Sequence, residues 1–221
     1  MNSKLRCLLH VLTSCCLGDC ALLSKGEALS PRYFSTDSAH TSTPDAVIAK
    51  ESRLGAGELR LGRVSAAAYL GERIVFRNSN YELDFYETRR WTESPDVYLR
   101  RALEQSLFEK HGLRRIISGV GPTLEVELSE FAELKVVPAA ARVRATYLLH
   151  DNRLVRREAT VTVELPIGGD SSGRDAPERA VRVMADALNR AVEQIVDEVI
   201  AELGPRAPVS EVRTPEARRQ P

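Results

Sequence analysis

The thiols are gathered at one end of the sequence. Its four cysteines are Cys7, Cys15, Cys16 and Cys20, and none occurs beyond Cys20. A zinc site needs paired spacings such as C-x2-C, with further Cys or His at suitable intervals, and this cluster lacks them. What it carries is a leucine three residues before a cysteine, twice: Leu12-Thr13-Ser14-Cys15 and Leu17-Gly18-Asp19-Cys20. That is the arrangement in which a bacterial export signal is cut so that the thiol is diacylated and a new amino terminus is freed. The first box has small residues between its ends. The second puts an Asp just before the cysteine but leaves the longer apolar region, and spacing alone keeps both open. Either one predicts firm anchoring, because acyl chains add about 0.8 kcal/mol of membrane affinity per buried CH2.

Other chemistry is sparse. The histidines are His10, His40, His111 and His150, and none pairs with a neighbouring Ser, Asp or Glu in a recognisable nucleophilic arrangement. Glu82 and Asp84 alternate with apolar residues, so they read as the polar face of a strand and not as an acid/base pair. Gly119-Val120-Gly121-Pro122 lacks the third glycine of a dinucleotide loop and precedes a strand, which makes it a turn. The residues therefore predict no catalytic group, no metal site and no cofactor. Charge removes a further class of function: Lys+Arg 31 against Asp+Glu 31 gives no net charge, whereas nucleic-acid binders rely on a basic excess to displace counterions.

The elements that would carry these residues can be read from periodicity. Lys4 and Arg6 precede the apolar stretch from Leu8 to Leu12, the layout of a secretory signal, too short for a helix that crosses a membrane. Arg32-Tyr33-Phe34-Ser35 predicts a short strand, and 36–57 reads as a loop or tether rich in small residues. From Leu59 the apolar–polar alternation of half-buried strands sets in. Residues 73–77 and 81–87 predict a hairpin across Asn78-Ser79-Asn80. Thr92, Ser94 or Asp96 caps a helix with Pro95 in its first turn, whose apolar face is Leu99, Ala102, Leu103, Ser106 and Leu107, and which Gly112 stops. Strands follow over 113–118 and 124–134, then a hairpin of 142–149 with 154–165, turned at Asp151-Asn152. A polar loop leads into a helix over 177–203, ended by Gly204-Pro205.

This order predicts an α+β fold, a largely antiparallel mixed sheet with two helices packed on one face, in a single domain. The division is a signal at 1–19, an anchor and tether with one short strand at 20–57, the α+β domain at 58–204, and a tail at 205–221 that reads as disordered.

Residues 73–77, then Tyr81-Glu82-Leu83-Asp84-Phe85-Tyr86, then Arg90-Trp91 followed by Pro95 and the Leu99–Leu107 helix, resemble the auxiliary lipoprotein component of ABC-type transport systems. That family includes the third, lipoprotein member of the paraquat-inducible intermembrane transport system. Its members open with an acylated Cys, an apolar doublet and an Arg-Tyr-aromatic strand, matched here by Cys20, Leu22-Leu23 and Arg32-Tyr33-Phe34. The resemblance favours Cys20 over Cys15 as the residue carrying palmitate or similar chains, with Asp19 departing from the family's small residue. It implies partnership with an MCE-domain protein and an ABC permease and ATPase that move hydrophobic molecules between membranes. It also implies a non-enzymatic role at the outer membrane, on its periplasmic face, docking or capping the far end of the conduit, with self-association into a homo-oligomer compatible. A structural envelope lipoprotein without a transport role is the alternative, and a lipid hydrolase is disfavoured by the missing nucleophile. Trp91, the sole tryptophan, with Tyr81 and Tyr86, are the candidate partner contacts. Trp91 has a competing reading as a core plug beneath the helix, and Tyr98 shares that ambiguity.

Overall fold

The computed structural model describes residues 30–36, 57–152, 154–169, 173 and 175–204. The signal segment, Cys15 and Cys20, His10 and His40, the tether over 37–56 and the tail over 205–221 lie outside them.

Eight strands form one open mixed sheet: β1 (Arg32–Phe34), β2 (Glu58–Ala66), β3 (Arg73–Arg77), β4 (Leu83–Trp91), β5 (Arg114–Arg115), β6 (Pro122–Leu134), β7 (Ala140–Asp151) and β8 (Leu154–Pro166). Two helices complete the α+β domain, α1 (Pro95–Glu104) and α2 (Ala176–Leu203). The long antiparallel ladders β6–β7 and β7–β8 form its spine. The other edge of β6 is shared. β2 runs parallel to its first half from Thr123 to Leu128, with β5 beyond, and β3 runs parallel to Ala132–Leu134, with β4 and then β1 beyond.

Alternation explains the spine. Leu124, Val126 and Leu128 of β6 are buried while Glu127 is exposed, and Val143, Ala145 and Tyr147 of β7 face the same core. Across the last hairpin Val143 pairs with Val163, Ala145 with Val161 and Tyr147 with Ala159. The turn needs a left-handed residue, and Asn152 supplies it at φ 35°. α2 lays Ala180, Met184, Ala187, Leu188, Ala191, Ile195 and Val199 against this face at helical spacing, all of them buried. α1 sits beside it, contributing Leu99 and Leu103.

Several sequence expectations shift in detail. The strand expected over 113–118 shrinks to β5, two residues paired with Glu58 and Leu59. The strand expected to begin at Tyr81 begins at Leu83, because Ser79 Oγ accepts from the amides of Tyr81 (3.3 Å) and Glu82 (3.1 Å) and holds both in the turn. That strand then runs through Trp91 instead of ending at Glu87. His150, expected at the turn, pairs within the ladder with Thr123 and Val155. Among the three candidate caps, Ser94 occupies the N-cap position, and its carbonyl, not its hydroxyl, accepts the amide of Val97 at 3.0 Å. α1 widens into a π turn over Gln105–Lys110 before Gly112 reverses the chain at φ 67°. Finally, β1 pairs with β4 in register Arg32–Arg89, Tyr33–Arg90 and Phe34–Trp91, so residues ahead of the tether are built into the sheet.

One glycine is needed for close approach. At Gly62 β2 changes register against β6 between Leu61 and Val64, and a Cβ there would lie 2.9 Å from Thr123 Cγ2. The Gly62 carbonyl also accepts from Arg100 at 2.9 Å, tying α1 to β2.

Candidate functional site

Trp91 closes β4 and is 1% exposed. Its indole stacks on Phe131 of β6 with ring centres 5.0 Å apart, and meets Tyr98 of α1 edge-on at 6.1 Å. The Tyr98 hydroxyl lies 2.6 Å from Thr92 Oγ1 and accepts the amide of Glu93 at 3.2 Å, and the Thr92 amide donates to the Phe34 carbonyl at 2.8 Å. Trp91 and Tyr98 therefore join β1, β4, β6 and α1 from within. As a partner contact Trp91 is corrected by its placement: a side chain so covered presents no surface, and the core plug is where it sits.

Tyr86 lies nearer the other end of β4 and is half-buried. Its ring packs on Phe76 at 4.6 Å, its hydroxyl donates to Glu133 at 2.7 Å, and the Arg89 guanidinium stands 3.8 Å from its centre. Lys135 places its ammonium 3.3 Å from the Phe76 ring centre. Burial, reinforced by the Glu133 acceptor, pushes the Tyr86 phenol well above its ordinary value, so it stays protonated and cannot serve as a base near neutrality. Burial lowers the Lys135 ammonium from its usual value, with Glu133 opposing the shift. This cluster braces the sheet. Tyr81, in the turn over 78–82, is 99% exposed.

No group of three or more His, Cys, Asp or Glu side chains able to hold a metal occurs among the described residues. His111 follows the π turn with its Nε2 3.9 Å from Glu193, a contact Glu193 shares with Lys110 at 2.9 Å. Elsewhere Arg77 donates to the buried Glu130 at 2.7 Å, a polar contact across the sheet.

Two exposed apolar groups were not singled out in the sequence. At the end of the sheet where β6 begins, Pro122 pairs with Asp151 and Asp151 with Leu154, so the loop over 116–121, which crosses β2 from β5 to β6, and the last hairpin turn lie at the same end. Ile117 (88% exposed), Val120, Leu154 and Val155 are exposed at this end. At the opposite end Val136 and Val137 join Tyr81. Loop valines and isoleucines carry no periodic signal, so only the fold shows which ones share an end.

Comparison with known proteins assigns this architecture. No curated protein matches the sequence. A crystal structure of a Xanthomonas campestris protein of family DUF330 superposes with TM-score 0.61 at 18% identity, covering 77% of this chain and 96% of that one. A second solved structure, of an uncharacterized protein, gives TM-score 0.55 at 17% identity over 77% of this chain and 99% of its own. These likenesses establish the fold. The family model for the ABC-type transport auxiliary lipoprotein component matches residues 40–199, and that span, most of the chain, makes this protein a member of the ABC-type transport auxiliary lipoprotein family.

Proposed function

We propose that this protein is a non-enzymatic accessory subunit of an ABC-type system that moves hydrophobic molecules between membranes, anchored by an acylated Cys20 to the periplasmic face of the outer membrane, where it docks or caps the conduit of an MCE-domain partner. The observation that carries this reading is the family match over residues 40–199. No helix of the described residues is long and apolar enough to cross a membrane. Several ionisable side chains of the domain are engaged with one another in pairs that brace strands, as Glu133 is with Tyr86 and Glu130 with Arg77. In this reading docking uses surface and not chemistry, with the acyl chains as the only added group.

With Trp91 internal, the surface for the protein partner is the end bearing Ile117, Val120, Leu154 and Val155. Large aliphatic side chains grouped at one end of a domain, with polar strands around them, suit a partner's apolar contact.

The test is co-purification. The acylated protein, tagged at its carboxyl end and extracted from its own cells in mild detergent, should bring down the MCE-domain protein and permease of that organism. An MCE protein present in the same membranes but absent from the eluate would leave the structural envelope lipoprotein ahead.

A further inference from the structure

The two tips at the Tyr81 end belong together. The turn over 78–82 joins β3 to β4 and the turn over 135–139 joins β6 to β7, and the Lys135 amide donates to the Arg77 carbonyl at 2.9 Å where the two leave the sheet. Tyr81 and Val137 are both 99% exposed, Val136 stands beside them, and the Lys135 ammonium lies just behind. One exposed valine is ordinary, but two aliphatic side chains and a tyrosine on adjoining tips, backed by a cation, form an amphipathic edge.

The amino-terminal chain comes into the fold from this side. β1 starts at Arg32, whose guanidinium pairs with Glu178 in the first turn of α2. β1 runs parallel to β4 and pairs with its last three residues, Arg32 opposite Arg89, so the chain that enters at Arg32 comes from the side of the turn over 78–82. About a dozen residues separate Cys20 from Arg32, and such a segment reaches at most ~40 Å when fully extended. The 13 residues of β6 span about the same distance, ~43 Å, from one end of the sheet to the other. Arg32 lies part-way along the sheet, nearer the Tyr81 end, so turning the Ile117 end toward the membrane would make the segment double back past β1. The Tyr81 end lies within easy reach.

We propose that the end carrying Tyr81, Val136 and Val137 rests on the lipid bilayer, with these side chains seated in its interfacial layer and Lys135 directed to the phosphate headgroups. Tyrosine is favoured at that depth, and a long basic side chain keeps its charge among headgroups while its stem lies along apolar surface. The proposal rests on the acyl anchor at Cys20 and adds an orientation to it: the Ile117 end points away from the membrane.

Tryptophan fluorescence tests this on the full acylated chain, because the sole native indole, Trp91, is enclosed in the core and gives a baseline. The protein and its variants Val137→Trp, Tyr81→Trp and Ile117→Trp are reconstituted into vesicles of phosphatidylethanolamine with a minority of phosphatidylglycerol, with and without brominated acyl chains as a short-range quencher. Emission added at positions 137 and 81 should fall at least twofold with brominated lipid, while that at 117 and the native emission should be unchanged. Protein that floats with the vesicles but shows no quenching at 137 or 81, or quenching at 117, overturns the orientation and leaves the anchor standing. Protein that does not float overturns the anchor, and the orientation with it.

Discussion

The Tyr147 hydroxyl donates to Glu198 Oε2 at 2.6 Å, joining the middle of β7 to the last third of α2. Its ring is wholly buried, and Arg157 of β8 donates to the same phenolic oxygen at 2.7 Å and to Glu198 at 2.9 Å. The Tyr147 hydrogen bond, opposed by partial burial and aided by Arg157, holds the Glu198 carboxyl below the usual carboxylate range, while burial and the Glu198 acceptor push the phenol up to about 12. Both limbs of a pH–stability profile follow. The depressed carboxyl contributes stability that is complete above its unfolded value and is lost as pH falls through the folded one. The raised phenol contributes stability that is complete below its ordinary 10.0 and is lost as pH rises through about 12. Tyr147→Phe should cost about 1 kcal/mol at neutral pH and flatten the acid limb, read as melting temperature against pH.

Trp91→Ala should destabilise the domain by about 3–5 kcal/mol, the cost of emptying a large aromatic site, because Phe131 and Tyr98 both lose their neighbour. Trp91→Phe should cost distinctly less. Denaturant unfolding measures both, and a near-neutral Trp91→Ala would remove the indole from its place as the junction of four elements.

At the Ile117 end, Ile117→Asp together with Leu154→Asp should leave the melting temperature within a degree or two and weaken binding of the proposed MCE-domain partner at least tenfold, about 1.4 kcal/mol. Unchanged affinity would move the docking surface elsewhere on the domain.

Cys20→Ser should abolish labelling by a fatty-acid analogue and release the protein from the membrane fraction. Labelling that persists and disappears only on Cys15→Ser would assign the anchor to Cys15.

Much of the architecture is legible in the sequence because the longest elements repeat their signals. The stripe from Ala180 to Val199 and the alternation through Leu124–Leu128 leave one arrangement each, and Pro95 marks the start of α1. Pairing was harder to read. Nothing local tells β2 and β3 to line up along one edge of β6, since parallel partners are set by contacts distant in the chain. The π turn was hidden because Leu103, Ser106 and Leu107 lie on the apolar face with either spacing. Trp91 shows the limit for a site: a lone tryptophan in the sequence leans toward the core without leaving the interface out, and the neighbours brought by β6 and α1 decide. Val136 and Val137 stand in a turn where periodicity has no meaning.

β1 also governs how force enters the molecule. A protein tethered at its amino end and gripped elsewhere by a partner feels tension first at this edge strand, three residues paired alongside β4 and clasped by Arg32 to Glu178. A pull along β1 loads that short pairing in shear before any strain arrives at the β6–β7–β8 ladders, which are joined over about a dozen residues each. With the amino end anchored as proposed, load would part the three-residue pairing of β1 ahead of the long ladders and lengthen the chain leading to the domain.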